Sequence, residues 1–337
     1  MKRFTLPVDA KLNVSDEGRK GPVKPTVRDV ARVAGVSVAT VSNAFNRPER
    51  LASATRERVL ATAAELGYLG PHPAARSLRL GKRGTVALAT AGLAEGVFAD
   101  PAATLIARGV ARACDQAGVG LVLGGDELPY ADGVVFVRHM EPTCAPGQRV
   151  VIVDGPPLDD APRVEADVHA GAAEVAAHLA ALGNCRLAIL GTAGSDDRLR
   201  GALVGWGDAG SALGYRTEQL TRDHGEAAAR AALAVSPRPD AILGLSDVLA
   251  WGALDAAHRA GLAVPGDLSV AGIGDLEGSE AMGLTSAFVP YRAMGDLAGM
   301  LLAALVAEEP VEVPPPFPVT AIIRRSTGPP APPPGVA

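Results

Sequence analysis

Histidine and cysteine side chains are the first candidates for metal binding or nucleophilic chemistry. The chain of 337 residues contains six histidines and three cysteines. The histidines do not have the spacing of metal ligands. Cys114, Cys144 and Cys185 are far apart and odd in number, which favours reduced thiols over a disulfide framework or a zinc site. We expect these thiols to be small buried hydrophobic side chains.

Two glycine-containing segments resemble ligand-binding loops at first sight. Residues 191–197 read GTAGSDD and residues 272–278 read GIGDLEG. Neither matches a phosphate loop or a dinucleotide fingerprint in a strand-turn-helix context. A G-x-S-x-G elbow and a coupled nucleophile and base are also missing from the sequence. The sequence therefore predicts no enzyme, no metal site and no cofactor.

Charge is divided unevenly along the chain. Residues 1–83 carry 16 Lys and Arg against 7 Asp and Glu, whereas the remainder carries 16 against 30. A basic N-terminal part attracts polyanions, and an acidic remainder avoids unspecific adhesion to them. A solvated basic tail is the alternative that charge alone leaves open.

Membrane and secretory segments are not expected. No apolar run approaches the roughly 20 residues that a bilayer span needs. The N-terminal MKRFTLPVDAKLNVSDEG carries acidic residues and no apolar core, unlike a signal peptide. We therefore expect a cytoplasmic protein that does not contact membranes.

Three short helices are predicted between residues 25 and 70. Thr26 with Asp29 resembles a capping box, Gly35 supplies a turn, and Ser37 can cap the second helix. The second helix is expected from about residue 38 to residue 45, ending at Arg47-Pro48. Its inward face is predicted to consist of Val38 or Ala39, Val41 and Phe45. The third helix is expected near 53–66, with Gly67 as its stop.

Two helices joined by a tight glycine turn indicate a helix-turn-helix. The turn fixes the crossing angle, so that the second helix can protrude into a DNA major groove. A helical hairpin without a ligand is the alternative, but the basic surroundings favour DNA. Residues 71–83 follow as a short basic segment with Pro71 and Pro73 at its start. A helix of about two turns is marginal in water, so we expect this candidate hinge to fold only when something binds it.

Apolar runs alternate with helical segments after residue 84. Such alternation predicts doubly wound parallel sheets, and their number predicts two lobes. The predicted strands lie within 85–92, 119–125, 133–137, 149–155, 186–191, 241–246 and 268–274. The predicted helices lie around 101–117, 169–182, 197–213, 225–235 and 247–260. The proline-rich residues after Arg325 are expected to be disordered or extended.

The N-terminal helices of residues 25–70, called the head below, and the rest of the chain together resemble the lactose/galactose repressor (LacI/GalR) family. TVRDVARVAGVSVATVSNAFN, TRERVLATAAELGYLG and PAARSLRLG are similar to its DNA-binding head. VVIVDG, RLRG, AILGLSDVLAWGALDAAHRAGLAVPGDLSVAGIGD and VTAIIRRST follow in family order, so the resemblance covers about residues 26–327. It implies a homodimeric transcriptional regulator, most simply a repressor, with a periplasmic-binding-protein-like effector domain.

The resemblance also implies which residues contact DNA. Val38 and Ala39 take the base-contacting positions and can meet a thymine methyl, while the amide of Asn43 can pair with adenine. In the hinge, Leu78 would wedge into the minor groove beside Ala75 and Arg76. The remaining positions are suited to phosphate or other DNA contacts: Ser37, Thr40, Asn46, Arg50 and Thr55.

The effector is expected between the two lobes, outside the carboxyl ends of the strands. Arg198 matches the family arginine that reaches an effector hydroxyl or carboxylate. Phe98 and Tyr291 could stack on a sugar ring. By position the full set is Ala91, Phe98, Asp154, Arg198, Asp223, Ser246, Asp275 and Tyr291.

Four departures from the family pattern affect these expectations. Ser246 stands where many members have asparagine, and Gly274 where many have aspartate, which lowers the hydrogen-bonding capacity toward a sugar. Ala52 replaces the usual serine cap of the third helix, and we expect Ser53 to take over. Only GDELPYA separates the second strand from the third, so a helix of the first lobe is missing. We expect one sheet edge or face to be exposed there unless a partner or the leader covers it.

The sequence thus predicts an all-α helix-turn-helix head, a hinge helix and a two-lobed α/β domain of doubly wound parallel sheets. The predicted boundaries are 1–24 for a flexible leader, 25–70 for the head, 71–83 for the hinge, 84–327 for the effector and dimerisation domain, and 328–337 for the tail. The predicted partners are a near-palindromic double-stranded DNA operator, a sugar or related small molecule, and a second copy of the chain. A ligand-independent or protein-controlled regulator, and a sensor with a vestigial head, remain as alternatives.

Overall fold

A computed structural model describes residues 25–46, 50–66, 68, 84–90, 96–124, 131–138, 144–145 and 147–330. The chain divides into two compact units, Met1–Gly81 and Lys82–Ala337. Several predicted features lie outside the described residues: the leader, Arg47-Pro48, Gly67, the hinge segment and the last seven residues of the tail.

The head contains three helices, α1 (Val27–Ala34), α2 (Val38–Asn46) and α3 (Ser53–Leu66). The capping box of α1 is confirmed, because the Thr26 N–H donates to the Asp29 carboxylate at 2.9 Å. Hydrogen bonds from the Thr26 hydroxyl and N–H and from Arg32 lower the pKa of Asp29 to about 2. Gly35 ends α1 with φ of 65°, a left-handed conformation that glycine adopts without strain. The predicted glycine turn is therefore confirmed.

The inward face of α2 differs from the prediction. Val41 and Ala44 are buried against α1 and α3, whereas Val38 and Ala39 are exposed. Phe45 is half-buried and packs edge-on against Tyr68, with ring centroids 5.8 Å apart. Val41, Ala44 and Phe45 share one stripe of the helix and belong to the core of the head, whereas Val38 and Ala39 lie in the first turn, outside that core.

The predicted shift of the α3 cap to Ser53 is wrong. The helix begins at Ser53, and the Arg56 N–H donates to the Ala52 carbonyl at 3.1 Å, so Ala52 occupies the N-cap position. Alanine offers no side-chain acceptor to the N–H groups of the first turn.

Replacing Ala52 by serine is expected to stabilise the head by about 1 kcal/mol, because the new hydroxyl can accept from the first turn of α3. Chemical denaturation monitored by circular dichroism measures the change. Ser53→Ala serves as the control and should change stability by less than about 0.5 kcal/mol. A larger loss in Ser53→Ala than the gain in Ala52→Ser would assign the cap to Ser53 after all.

The first lobe is a parallel sheet in the order β2-β1-β3-β4-β5. Its apolar strands pack under two long helices, which bury the same face of the sheet. The strands are β1 (Thr85–Thr90), β2 (Gly120–Gly124), β3 (Gly133–Val137), β4 (Arg149–Val153) and β5 (Arg163–Val164). The helices are α4 (Gly96–Ala99), α5 (Pro101–Ala117) and, from later in the chain, α11 (Tyr291–Ala307).

The second lobe is a six-stranded sheet in the order β11-β10-β9-β8-β6-β7, parallel except for β11. The strands are β6 (Arg186–Gly191), β7 (Ser211–Arg216), β8 (Ala241–Gly244), β9 (Ser269–Gly274), β10 (Thr285–Phe288) and β11 (Thr320–Ile322). One face carries α6 (Val168–Ala181) and α7 (Asp196–Trp206), and the other carries α8 (Arg222–Leu233) and α9 (Asp247–Arg259). The short α10 spans Ser279–Met282. Two doubly wound lobes, as predicted, are confirmed.

Glycines let the helices of each layer touch backbone to backbone. A Cβ atom built on Gly205 of α7 would overlap the carbonyl oxygen of Ala173 in α6, and one on Gly295 of α11 would overlap that of Ile106 in α5. A Cβ on Gly252 of α9 would overlap the Arg222 carbonyl of α8 in the same way. Each of these three helix pairs is therefore fixed at a spacing that a larger side chain would not permit.

Some elements differ from the sequence prediction. The helix expected around 197–213 ends at Trp206, because Gly207 has φ of 53° and cannot continue it, and β7 follows. The strands β5, β7, β10 and β11 and the helices α4, α10 and α11 were not predicted. The start of the tail is ordered rather than disordered, since Ser326 and Gly328 are buried and Gly328 donates to the Ser269 hydroxyl at 3.0 Å.

The shortened first lobe does not leave its second sheet face exposed. Ala87, Phe136 and Ile152 on that face are buried, with Leu158 and Ala161 packed against them. The strand β2 forms the edge of the sheet. Among the thiols, only Cys114 is buried as expected. Cys144 and Cys185 are exposed, so the prediction of buried thiols is wrong for both, although all three cysteines are free.

Candidate functional sites

The first turn of α2 presents small side chains to solvent. Ser37 caps this helix, because its hydroxyl accepts from the Thr40 N–H at 3.0 Å, as the sequence predicts. Val38 is 44% exposed, Ala39 is exposed, and Asn43 is half-buried two turns from the cap. Methyl groups therefore form the N-terminal end of this surface, and the Asn43 amide lies further along the helix.

The other predicted DNA contacts are placed only in part. Arg50 is exposed just before α3, and Thr55 is half-buried in its first turn. Asn46 ends α2, but its side chain lies outside the described part of the structure. The hinge residues also lie outside it: Ala75, Arg76 and Leu78.

A cluster of four charged side chains joins the two lobes. Asp154 follows β4, and its Oδ2 atom lies 3.2 Å from Nη2 of Arg198 on α7 and 3.4 Å from Nε of Arg138, which follows β3. Nη1 of Arg138 also lies 3.1 Å from Oδ2 of Asp100, the N-cap of α5. One carboxylate thus holds a guanidinium from each lobe at the carboxyl ends of the strands.

The backbone at the strand ends aims these side chains. Arg138 and Asp154 both have left-handed conformations, with φ of 51° and 50°. Aspartate tolerates the left-handed conformation. For arginine this conformation is unusual and costs about 1 kcal/mol or more of backbone strain. Such strain is typical of positions where a side chain is held for a function.

Burial and charge oppose each other in this cluster. Burial raises the pKa of Asp154, but the charges of Arg198 and Arg138 outweigh it, and the net pKa lies below the ordinary value. Burial raises the pKa of the Tyr291 hydroxyl, which is therefore neutral near pH 7. Five buried side-chain polar atoms in the described chain lack a hydrogen-bond partner, and two of them are Nε of Arg198 and Oγ1 of Thr90 at the end of β1.

The remaining predicted effector residues make other contacts or are exposed. Asp275 pairs with Arg324 at 2.6 Å, and the Ser246 hydroxyl caps α9 by accepting from the Val248 N–H at 3.4 Å. Asp223 is exposed in the first turn of α8, and Phe98 is 69% exposed. Within the described residues no hydrogen bond or ion pair joins these four to the cluster. Ala91 lies outside the described residues.

Sequence reasoning missed Thr90, Asp100 and Arg138. Arg138 directly follows the predicted strand 133–137, and Asp100 precedes the helix that begins at Pro101. Polar residues at the carboxyl ends of parallel strands are the positions from which ligands are bound, so Arg138 could have been selected by placement alone.

The described ranges contain no group of three or more acidic, histidine or cysteine side chains arranged to hold a metal ion. Within the same ranges, no helix combines the length and hydropathy needed to cross a bilayer. A helix-turn-helix head followed by two doubly wound lobes with a polar cluster between them is the architecture of a ligand-responsive DNA-binding protein.

Comparisons with known proteins identify the family. Residues 26–70 match the model of bacterial regulatory proteins of the lacI family, and residues 176–327 match that of a periplasmic binding protein-like domain. An HTH-type transcriptional regulator of Mycobacterium tuberculosis is 34% identical in an alignment of 333 positions, and the alignment covers 83% of this chain and 90% of that protein. The ribose operon repressor of Escherichia coli is 30% identical over 305 residues, covering 81% and 90%.

A solved structure agrees with this assignment. The complex of the transcriptional regulator CelR with cellobiose has a TM-score of 0.64 and 27% sequence identity, and the match covers 90% of this chain and 99% of that one. The chain belongs to the LacI family and is a DNA-binding transcriptional regulator. The resemblance read from the sequence, the predicted fold class and the predicted class of function are confirmed.

Proposed function

We propose that the protein is a repressor that binds a near-palindromic operator as a homodimer, and that a sugar or related metabolite between the lobes alters its operator affinity. The observation that carries the DNA-binding part is the exposed first turn of α2, led by Val38 and Ala39. A two-fold symmetric dimer matches a palindromic site. The proposal involves no catalysis, and its DNA target places the protein in the cytoplasm.

In this proposal the head reads few base edges. Val38 and Ala39 contact thymine methyl groups, and Asn43 pairs with adenine. Ser37, Thr40, Asn46, Arg50 and Thr55 hold the phosphate backbone, which fixes register without reading sequence. Ala75, Arg76 and Leu78 enter the minor groove. The boundaries proposed for these parts remain 25–70 for the head, 71–83 for the hinge and 84–327 for the effector and dimerisation domain.

Asn43→Ala is expected to weaken operator binding by about 1–3 kcal/mol, because an adenine contact is lost, and to leave binding to unrelated DNA unchanged. Fluorescence anisotropy with the upstream region of the protein's own gene and with scrambled DNA measures both affinities. Glu65→Gln, an exposed change on α3, is the control and should alter neither. An equal loss on both DNAs would assign Asn43 a structural role.

The effector part rests on the unpartnered Nε of Arg198 and Oγ1 of Thr90. A buried donor and a buried hydroxyl without partners favour a ligand that carries hydroxyl groups. CelR, a relative with the same fold, is known in complex with cellobiose. A thermal-shift screen with sugars and nucleosides tests this part, since a ligand at 100 times its Kd stabilises by about 2.7 kcal/mol.

A ligand-independent regulator is the second candidate. Asp275 is already paired with Arg324, and the Ser246 hydroxyl already caps α9, which leaves few groups in the second lobe to hold a sugar. This candidate predicts operator binding of full strength and no stabilising compound in the screen. A sugar that both raises Tm and shifts operator affinity would exclude it.

A further inference from the structure

The strand β7 is an open edge of the second lobe. It ends the strand order, and no described strand pairs with its outer side. The Ser211 and Thr217 N–H groups donate toward β6, to the carbonyls of Cys185 at 3.0 Å and Gly191 at 2.8 Å. Because backbone groups alternate along a strand, those of residues 212, 214 and 216 point away from the sheet.

Two apolar depressions flank this edge, one on each face of the sheet. On the α7 side, a cavity of about 160 Å³ opens beside Gly214, and its apolar lining comes from Ile189, Leu199 and Leu245. On the opposite side, a shallow groove is lined by Leu213 and Val235, which are 52% and 40% exposed. A strand paired with β7 would direct successive side chains to the two depressions in turn, because side chains alternate between the faces of a sheet.

Gly214 keeps the mouth of the cavity open. A Cβ atom at this position would meet nothing within 4 Å, and its φ is not in the left-handed region, so neither packing within the chain nor a turn requires glycine here. A strand glycine often marks the close approach of a ligand or of another backbone. An apolar cavity of roughly 150 Å³ holds a benzene molecule, so the cavity beside Gly214 has room for one leucine or phenylalanine side chain.

We propose that β7 binds an extended segment of another protein, which pairs antiparallel with the strand and inserts one apolar side chain into the cavity beneath α7. The residue of that segment opposite Gly214 exchanges both backbone hydrogen bonds with it, and its side chain points to the same face as the cavity. The two neighbouring side chains point to the other face, over Leu213 and Val235. In strand addition of this kind the main chain supplies affinity, and pockets for alternate side chains supply specificity.

A second copy of β7 does not fill the cavity. In the symmetric antiparallel register, Gly214 of that copy lies opposite Gly214 and brings no side chain. The apolar residue that enters the cavity therefore belongs to a different sequence.

Charge at the two ends of β7 defines the partner further. Asp208 precedes the strand and Glu218 follows it; both are exposed, and within the described chain no ion pair involves either. The arginines near this edge already have partners: Arg216 with Asp196, Arg186 with Asp240, and Arg238 with the Asp267 carbonyl.

The spacing of the two acidic residues sets the spacing of basic residues in the partner. Glu218 lies four positions after Gly214, and Asp208 lies six positions before it. At about 3.3 Å per residue these separations are about 13 Å and at most about 20 Å. The partner segment therefore has an apolar centre and a lysine or arginine about four to six positions away on each side.

A synthetic peptide with this pattern, Lys-Thr-Ser-Thr-Val-Leu-Val-Thr-Ser-Thr-Lys, tests the proposal by fluorescence anisotropy with the full chain. We expect saturable binding. N-methylation of the central leucine is expected to weaken binding about tenfold or more, because its N–H donates to the Gly214 carbonyl. N-methylation of the valine that follows is the matched control and should change affinity less than about twofold, because that N–H points away from β7. No binding at about 1 mM peptide, or equal effects of the two methylations, would overturn the proposal.

Variants of the chain test the cavity and the charges separately. Gly214→Leu is expected to weaken binding of the peptide about tenfold or more, because the new side chain occupies the mouth of the cavity. Met300→Lys, at a residue that is 60% exposed on α11 of the other lobe, is the control and should leave the affinity unchanged. Asp208→Lys combined with Glu218→Lys should weaken the lysine-ended peptide about threefold to tenfold and strengthen a glutamate-ended one by a similar factor. Equal effects on the two peptides would contradict the charge pattern assigned to the partner.

The other occupants of this edge give different results on the same samples. A peptide that lowers the mass of the chain in sedimentation equilibrium competes with a second copy at β7, and this result would refute the proposal. Benzene is the probe for a small apolar ligand of the cavity, and the peptide should displace it. Benzene that stays bound at saturating peptide would show that no side chain enters the cavity.

Discussion

Asp154→Asn is expected to lower the free energy of unfolding of the two-lobed unit by about 3 kcal/mol. The substitution leaves the guanidinium groups of Arg138 and Arg198 without their shared counter-charge, and removing one member of a buried ion pair costs about 3–5 kcal/mol. Arg198 is 5% exposed, so its guanidinium has little access to water that could replace the lost carboxylate. Asparagine retains the left-handed backbone conformation of this position, so the loss reports charge and not strain. Urea denaturation measures the difference.

The matched control is Asp197→Asn, which breaks the exposed pair of Asp197 with Arg200 on α7. Exposed pairs contribute about 0–1 kcal/mol, so a small change is expected. Similar losses in the two variants would mean that the interlobe cluster contributes no more than a surface pair.

The effect of Asp154→Asn also has a defined pH dependence. The pKa of Asp154 is lowered in the folded chain, so its ion pairs stabilise fully above the ordinary carboxyl pKa of about 3.9. That stability is lost as pH falls through the lowered value. The difference between the unmodified chain and the variant should therefore stay constant from about pH 7 to about pH 5 and shrink below about pH 4.

Gly205→Ala is expected to destabilise the second lobe by about 1–3 kcal/mol, the usual penalty for overpacking. Alanine is normally better than glycine in a helix by about 1 kcal/mol, so propensity alone predicts the opposite sign. The new methyl group would overlap the backbone carbonyl of Ala173, and α6 and α7 must then separate. A backbone carbonyl in a helix cannot move away from the new methyl group as the end of a flexible side chain can. Thermal and urea denaturation measure the loss.

Gly214→Ala provides the contrasting control. Its Cβ meets nothing within 4 Å, and the residue borders a cavity of about 160 Å³ beneath α7. Stability should rise by about 0.5–1 kcal/mol, because the unfolded chain loses conformational freedom. A loss of stability in Gly214→Ala, or a gain in Gly205→Ala, would contradict the packing described for these two positions.

Strong local patterns made most of the fold predictable. Buried parallel strands such as β3 and β8 are unbroken apolar runs, and the helix 101–117 has its Asp100 cap, Pro101 and Gly118 in the sequence. Elements without such signals were missed. The edge strand β7 mixes serine, glycine and arginine, and α11 carries two glycines whose reason is contact with α5, which one chain segment cannot reveal.

The candidate site was less predictable because it depends on pairing between distant residues. The family resemblance and the position in the chain selected Asp154, Arg198 and Tyr291, which the structure places in one neighbourhood. They could not show that Arg138 competes for the same carboxylate, or that Arg324, 49 residues away in sequence, neutralises Asp275. Prediction of the exposed face of α2 also required knowledge of how α1 and α3 pack against it.

The backbone-to-backbone helix contacts determine how the effector unit can move. Helices locked at glycines cannot slide past one another in small steps, so each lobe behaves as a rigid body. The chain passes between the lobes at residues 165–167, 289–290 and 308–319, and the Asp167 N–H donates to the Phe317 carbonyl where two of these crossings meet. Torsion within these three crossings changes the angle between the lobes, and the ion pair of Asp154 with Arg198 opposes that change. A change in lobe angle is therefore a pivoting motion, and a substitution in these crossings would alter response without altering either lobe.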